Sequence, residues 1–220
     1  MKWGLTPIFL LITTTCCAAE RVVDFHSDIR VQKNGDLVVT ERIAVLAEGR
    51  EIRSGIVRDF AGVPAEVLRV TRNGQPEPFT AERPLGGMRL RIGTQAALPS
   101  GEHVYEIVYR SPRRVAFHDK HDELAWDVSG SRWTFAVERL SAEVLFPAGV
   151  PARELKVEAA TGFQDTQGKS YQAFTRDGAA AFRATRSFAS REGMTIVVRF
   201  PKGVVAPPGW AERARAFLGF

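Results

Sequence analysis

Between residues 22 and 205, apolar and polar side chains alternate in short runs separated by turn residues. The runs at 22–32 and 37–47 flank Asn34-Gly35, and Asn-Gly between two apolar runs is a strong hairpin signal because both residues tolerate positive φ. Similar runs occupy residues 67–72, 75–80, 88–92, 103–110, 124–128 and 194–200. No helical periodicity extends over more than about ten residues here. The pattern predicts a chain built almost entirely of β-strands.

The spacing of these strands indicates the fold class. They recur about every ten residues and are punctuated by Gly and Pro turns, which is typical of an antiparallel sandwich or barrel. We predict an all-β antiparallel β-sandwich, immunoglobulin-like or related, as one domain over residues 20–205, since such folds can occupy about 200 residues. Two smaller lobes divided near residues 111–122 are the alternative.

One long run changes its apolar side. Phe135 and Val137 share one phase before Glu138-Arg139, and the opposite phase begins at Leu140. A strand cannot change face without an extra residue, so we predict a bulge or sharp bend near Glu138-Arg139. Two separate strands that meet there would give the same corner.

Residues 1–19 have the layout of a secretory signal peptide. Lys2 provides a cationic start, an apolar stretch follows, and small residues precede Glu20. We predict cleavage between Ala19 and Glu20 and export of the mature protein to the periplasmic or extracytoplasmic face of the membrane. The apolar stretch is shorter than the roughly 20 residues of a permanent membrane helix.

Such cleavage removes Cys16 and Cys17, so the mature domain depends on its own core rather than on disulfides. Acylation of either cysteine, as in a lipoprotein, is an alternative. It is disfavoured because Thr13, rather than a large aliphatic residue, lies three places upstream of Cys16.

The C-terminal segment, residues 206–220, differs from the rest. Pro207-Pro208 stops any central strand, and residues 210–218 have the pattern of a basic, amphipathic helix start. We predict a Pro-rich linker and a juxtamembrane-like helix start, with membrane association through this segment or through residues beyond Phe220. A terminal docking helix fits this pattern nearly as well.

The charge pattern limits the class of partner. The formal net charge is +5, and the basic residues are dispersed along the chain. A nucleic-acid surface requires a clustered basic stripe, so the sequence predicts no nucleic-acid partner.

The densest polar cluster spans residues 118–123. His118, His121 and Asp122 are weak candidate metal ligands, because two His residues three apart with adjacent carboxylates can supply two or three donors. Metal ligation requires imidazoles on a rigid element, whereas this segment lies between strands, where charged loops are common. We therefore expect no bound metal and no other cofactor. A metal-dependent hydrolase that uses residues 118–123 is kept as an alternative.

Two tryptophans flank a turn and offer a second candidate surface. Trp126 and Trp133 could stack against a sugar, which would make the domain a carbohydrate-binding module. Tryptophans in sandwiches are more often buried, so we favour a core role. No Gly-x-Ser-x-Gly nucleophile motif is present, and we expect no catalytic residues.

Glu41 lies in phase with the apolar side chains of its strand, on the face expected to be buried. A buried carboxylate requires a partner. Arg58 is the nearest candidate along the chain, so the two form a candidate structural ion pair. A local bulge that turns Glu41 outward is an equal alternative.

Six motifs follow one another along the mature chain. They are residues 34–41 (NGDLVVTE), 55–60 (GIVRDF), 73–78 (NGQPEP), 91–93 (RIG), 122–130 (DELAWDVSG) and 200–205 (FPKGVV). Together they resemble the N-terminal domain of YciQ-like predicted bacterial membrane proteins (domain of unknown function 2207). Ala125 and Asp127 depart from that resemblance, because an aromatic residue and Asn are more usual there.

The resemblance implies a signal peptide, an extracytoplasmic β-rich domain and then membrane-spanning helices. Phe220 falls where the first such helix is expected, so the chain is either a fragment or a soluble derivative of the family. We expect a non-enzymatic envelope ectodomain that binds or scaffolds an envelope protein or polymer.

The predicted leader has a direct test. The exported protein should begin at or near Glu20 when it is examined by N-terminal sequencing or intact mass, because cleavage follows the small residues at 18 and 19. Retention of Met1 on exported protein, or a diacylglyceryl group on a cysteine, would contradict this prediction.

Overall fold

The computed structural model describes residues 19–209, apart from residues 63–64, 85–86, 148 and 164–165. Within that part of the chain, regular structure consists of fifteen β-strands and one short 3-10 helix (Ala152–Glu154), with no α-helix. In chain order the strands are β1 (Arg21–Val31), β2 (Leu37–Ala47), β3 (Gly55–Ala61), β4 (Glu66–Arg72), β5 (Gln75–Pro76), β6 (Phe79–Glu82), β7 (Gly87–Gly93), β8 (Gly101–Ser111), β9 (Val115–Phe117), β10 (Asp122–Asp127), β11 (Leu140–Leu145), β12 (Lys156–Gly162), β13 (Tyr171–Arg176), β14 (Ala179–Ala184) and β15 (Gly193–Phe200). The predicted all-β fold class is confirmed.

The strands form three sheets. The large sheet has the order β13-β14-β11-β1-β2-β8-β4-β5, a four-stranded sheet has the order β12-β15-β10-β9, and a three-stranded sheet has the order β3-β7-β6. Paired strands run antiparallel except β1 and β11, which pair in parallel. The sheets are therefore largely antiparallel, as the strand pattern predicted.

One face of the large sheet is buried. In β8, His103, Tyr105, Ile107 and Tyr109 point to this face and are at most 6% exposed. The intervening side chains are half-buried or exposed. This alternation is the period of two that a strand imposes on its side chains.

The two smaller sheets cover that buried face. Phe60 of β3 packs edge-on against Tyr109 with ring centroids 4.8 Å apart, and Phe200 of β15 lies 4.8 Å from Phe146, just after β11. Hydrophobic side chains of all three sheets form one continuous core. The arrangement is sandwich-like, with the large sheet as one layer and the two small sheets as the other. Residues 111–122, the candidate lobe boundary, contain β9, which pairs with β10.

The chain turns a corner just before β11. Val137 forms isolated bridges with Val22 and Phe188, and β11 begins three residues later at Leu140. Both Val137 and Leu140 are buried, although they are three positions apart and a regular strand would point them to opposite faces. The change of phase therefore falls between a short bridge and a strand, near Glu138-Arg139.

The Asn73-Gly74 turn between β4 and β5 has the backbone geometry that an Asn-Gly pair favours. Asn73 has φ of 51° and Gly74 has φ of 78°. Two successive positive φ angles define the tight turn whose twist matches that of the flanking strands.

The two chain ends are only partly described. Residues 1–18 and 210–220 lie outside the described residues, so the predicted leader and helix start do as well. Among the described residues, no helix is long and apolar enough to cross a membrane. Ala206 donates its N–H to the carbonyl of Lys33 at 2.8 Å, so the chain leaves the fold beside the β1–β2 hairpin.

Candidate functional site

A buried ion pair lies between the two layers. Glu41 on β2 is fully buried, and Arg58 on β3 is 4% exposed. Arg58 donates from Nε to Oε2 of Glu41 and from Nη2 to Oε1, both at 2.8 Å. Arg58 faces inward because it shares the phase of the buried Ile56 and Phe60. The structure thus joins the two residues that the sequence pattern had paired.

Every N–H of the Arg58 guanidinium has an acceptor. Besides Glu41, it donates to the carbonyl oxygens of Val128 (3.2 Å), Ser129 (2.8 Å) and Asp59 (2.8 Å). Five bonds match the five donors that an arginine carries. Tyr109 donates its hydroxyl to Oε1 of Glu41 at 2.8 Å. The charges are therefore compensated by a complete network.

Aromatic rings enclose the Arg58 cation. Its guanidinium carbon lies 4.8 Å from the ring centre of Phe60 and 5.5 Å from that of Phe25. Burial acts to lower the pKa of Arg58, but the charge and hydrogen bonds of Glu41 outweigh burial and raise it. Burial, and then the charge of Glu41, raise the pKa of Tyr109 well above its usual value. Arg58 therefore stays charged and Tyr109 stays protonated in the folded protein.

Above this network lies an open groove of about 310 Å³. One wall consists of residues 51–52 and 55–59, the other of residues 129 and 132–135, and Arg89 and Arg91 complete the lining. A ligand pocket typically measures about 300–1,000 Å³, so the groove is at the small end of that range.

One wall of the groove is an unpaired strand edge. β3 is the edge strand of its sheet among the described residues. Gly93, opposite Gly55 in β7, donates its N–H to Pro78 on the β6 side, so the Gly55–Gly93 pair is not hydrogen-bonded. Because hydrogen-bonded and non-hydrogen-bonded pairs alternate in an antiparallel ladder, the backbone groups of Val57 point to the open edge. The side chain of Val57 is 42% exposed.

The groove carries several charged groups. Asp59 accepts from Nε and Nη2 of Arg89 at 2.7 and 2.9 Å. Hydrogen bonds from Arg89 lower the pKa of Asp59 against the effect of burial, and the charge of Arg132 lowers it further. Arg132 is exposed and forms none of the ion pairs between described residues. The other groove-lining arginines, Arg58, Arg89 and Arg91, each pair with a carboxylate, so Arg132 is the one whose guanidinium lacks an ion pair among the described residues.

Glu20 anchors the loop that closes one end of the groove. Its carboxylate accepts the backbone N–H groups of Glu48, Arg50, Glu51 and Ile52 at 2.7–3.1 Å. Burial acts to raise the pKa of Glu20, but these four hydrogen bonds outweigh it and lower the pKa to about 2. No local pattern in the sequence marks this contact, because the partners are backbone groups.

The two candidate sugar-stacking tryptophans are both in the core. Trp126 is 4% exposed and Trp133 is 5% exposed. Trp133 donates Nε1 to the carbonyl of Ser129 at 2.9 Å and packs edge-on against Phe25. Trp126 lies on the inward phase of β10. The two rings therefore do not form an exposed platform, although Trp133 touches the groove.

The candidate metal ligands are only partly brought together. His118 and His121 lie side by side, and the third nearby donor is Glu123 rather than Asp122. Asp122 is 1% exposed and accepts from Nζ of Lys202 at 2.7 Å. Successive residues of a strand point to opposite faces, so Asp122 faces the core when Glu123 faces outward.

These features define an all-β domain with a surface groove over a buried Arg–Glu pair. The chain belongs to the family described as Predicted membrane protein (DUF2207) N-terminal domain, whose sequence model matches residues 21–200. It is 26% identical over 198 residues to the uncharacterized protein YciQ of Escherichia coli (strain K12). The match covers 83% of this chain and 30% of YciQ. The resemblance read from the motifs is thereby confirmed, and the chain spans about a third of its curated relative.

Solved structures share the fold at low sequence identity. Yeast LTA4 hydrolase in complex with bestatin matches with a TM-score of 0.55 and 10% identity, over 80% of this chain and 28% of the hydrolase. The native yeast enzyme matches with a TM-score of 0.53 and 12% identity, over 82% and 29% of the two chains. At these identities the likeness concerns the fold alone.

The buried pair should behave as a unit in stability measurements. Glu41→Ala and Arg58→Ala should each lower the free energy of unfolding by roughly 3–5 kcal/mol, because each leaves an uncompensated buried charge. The double variant should lose clearly less than the sum. Urea unfolding monitored by tryptophan fluorescence measures all three.

The exposed pair Arg91–Glu82 provides a matched control. Its atoms are 2.7 Å apart and its side chains are 52% and 51% exposed. Alanine at either position should cost at most about 1 kcal/mol. Additive losses at Glu41 and Arg58 would show that the buried pair does not couple.

The Glu20 anchor should make stability depend on pH in a defined window. Its pKa is lowered from 4.5 to about 2, so its contribution is complete above pH 4.5 and is lost as the pH falls towards 2. Glu20→Gln should cost about 1–2 kcal/mol near neutral pH, allowing for solvent screening. The difference in free energy of unfolding between Glu20→Gln and wild type, measured by urea unfolding, should shrink below pH 4.5. The exposed Glu66→Gln serves as control, and a Glu20→Gln difference that grows on acidification would refute the anchor.

Proposed function

We propose that this chain is the exported, extracytoplasmic domain of a membrane protein and that it binds an extended, acidic segment of an envelope protein. The observation that carries the proposal is the groove along the open edge of β3. An exposed strand edge presents unpaired N–H and C=O groups and can accept an added strand.

The groove fits a strand in both chemistry and shape. Val57 offers backbone groups at the edge, while the apolar side chains of Ile56 and Phe135 line the walls. In strand addition, main-chain hydrogen bonds provide affinity and alternate side chains provide specificity. An extended peptide can use both features at once.

The charge of the lining favours an acidic partner. Arg132 is exposed at the groove, and the Asp59 carboxylate is already engaged by Arg89. An arginine fork recognises a carboxylate with two parallel hydrogen bonds. A carboxylate on the incoming segment would therefore find its partner in Arg132.

The exit of the chain supports an orientation relative to the membrane. Ala206 leaves the fold beside Lys33, and Arg113 donates to the carbonyl of Ala206 at 3.1 Å. Arg114 of the same region reaches the carbonyl of Gly62, which follows β3. Gly55, at the other end of β3, lies about 20 Å further along the strand. With the C-terminal segment leading to the membrane, the Gly55 end of the groove is then the end further from the chain exit.

A Ser-His-Asp cluster on the large sheet does not support serine hydrolysis there. Ser141 Oγ lies 2.8 Å from His26 Nδ1, and His26 Nε2 lies 3.2 Å from Asp28 Oδ1. These residues sit on β1 and β11, which are paired on both sides within the large sheet. Their backbone N–H groups are used by the ladder, so none is left to stabilise an oxyanion.

The groove can be tested by photo-crosslinking in cells. A photoreactive amino acid at Thr134 should yield a crosslinked envelope protein, whereas one at Leu68, 46% exposed on β4, should not. Arg132→Glu should reduce the crosslink several-fold by reversing the charge of the groove, and should leave stability within about 0.5 kcal/mol. Arg153→Glu, at an 82% exposed side chain, is the charge-matched control.

A second variant tests the strand edge. The N–H of Val57 points away from β7, so Val57→Pro removes an edge donor without removing a ladder hydrogen bond. In the Val57→Pro variant, the yield of the crosslink from Thr134 should fall, as it should in the Arg132→Glu variant. Equal crosslinking from Leu68, or a crosslink unaffected by either groove variant, would refute the proposed binding edge.

A further inference from the structure

We infer that His118, His121 and Glu123 form a site for one late divalent transition-metal ion, such as Zn²⁺ or Cu²⁺. One ligand atom of each residue lies within 4.8 Å of those of the other two. The site lies on the β9–β10 hairpin and does not involve the groove, so it is independent of the proposed function.

The hairpin places the three side chains on one face. Phe117 pairs with Asp122 and Ala116 pairs with Glu123, so His118 and His121 form the next cross-strand pair. His118 donates its N–H to the carbonyl of His121 at 3.0 Å, which closes the turn. Directly opposite residues of an antiparallel pair have Cβ atoms about 4.5–5.5 Å apart on the same face. Glu123, two residues after His121, shares that face.

The hairpin is held in place from behind. Lys202 donates from Nζ to the carbonyl of His118 at 2.6 Å and to the buried carboxylate of Asp122 at 2.7 Å. The imidazole rings of His118 and His121 are stacked, with centroids 4.9 Å apart and an angle of 26° between planes. The sequence pattern placed this cluster between strands, and the structure agrees for His118 and His121, which flank the turn between β9 and β10. The bond from His118 to His121 and the two bonds of Lys202 hold the ends of this turn, and that support is what the sequence pattern did not show.

The donor set selects the class of ion. Two imidazoles and one carboxylate suit zinc, copper or nickel, whereas magnesium and calcium prefer oxygen donors. Neighbouring ligands of a tetrahedral zinc ion lie about 3.4 Å apart, so the side chains must move together by about 1 Å. Three protein ligands leave one position for water or for a donor from a partner.

The cations near the site are paired with carboxylates and do not block a metal ion. Arg199 donates to Oε2 of Glu123 at 2.8 Å and also to Glu158 at 3.1 Å, which leaves Oε1 of Glu123 for the ion. The charge of Lys202 is balanced by Asp122. His118 is exposed, and His121 and Glu123 are half-buried, so the ion reaches the site from solvent.

Titration of the full chain with ZnCl₂ and CuCl₂ after chelator treatment tests the site. A Cys16→Ser/Cys17→Ser background removes the thiols as competing ligands. Calorimetry should show one ion per chain, and copper electron paramagnetic resonance should show coupling to two imidazole nitrogens. His118→Gln, His121→Gln and Glu123→Gln should each raise the dissociation constant at least tenfold, with unchanged circular dichroism.

His26→Gln is the matched control, because His26 is accessible but lies on β1. It should bind one ion as tightly as the parent protein. Failure of the parent to bind one ion, or equal affinity in the His118 or His121 variant, overturns the site. Equal affinity in Glu123→Gln overturns the three-ligand site and leaves only a histidine pair.

Discussion

The three sheets of this protein meet at the guanidinium of Arg58. It lies on β3 of the three-stranded sheet and binds Glu41 on β2 of the large sheet. It also binds the carbonyls of Val128 and Ser129, which directly follow β10 of the four-stranded sheet. A buried charge tolerates no missing partner, so these three pieces of backbone must be positioned together. The packing of the two layers depends on that requirement.

The same interaction defines the register of β3. A slip of one residue would move Arg58 to the solvent side and turn Asp59 or Val57 towards Glu41. Glu41 would then lose its cation, and the loss would not be compensated by water. Because β3 is held in this register, Val57 presents its backbone at the open edge and Asp59 meets Arg89. The shape and charge of the groove thus follow from a contact beneath it.

The groove and the β9–β10 hairpin occupy different parts of the fold. The hairpin is tied to Lys202, close to the point where the chain leaves beside Lys33. The groove extends from Asp59 towards Gly55, away from that exit. The β9–β10 hairpin and the Gly55 end of the groove are therefore separate parts of the surface, and the two proposals made for them are independent.

The sequence by itself determined the strands, because alternation and Asn-Gly turns involve residues that are neighbours along the chain. It also made Arg58 the candidate partner of Glu41, since a carboxylate on an apolar face requires a cation, but the structure decided for this pair and against a bulge that turns Glu41 outward. The position of the turn within residues 118–121 sets the phase of β10. That phase points Glu123, rather than Asp122, to the side of the histidines. Only the tertiary structure decided the groove and the parallel pairing of β1 with β11. The β1–β11 pair joins residues 115 positions apart, and Arg58 and Ser129 in the two walls of the groove are 71 positions apart. No local pattern encodes which such distant segments will meet.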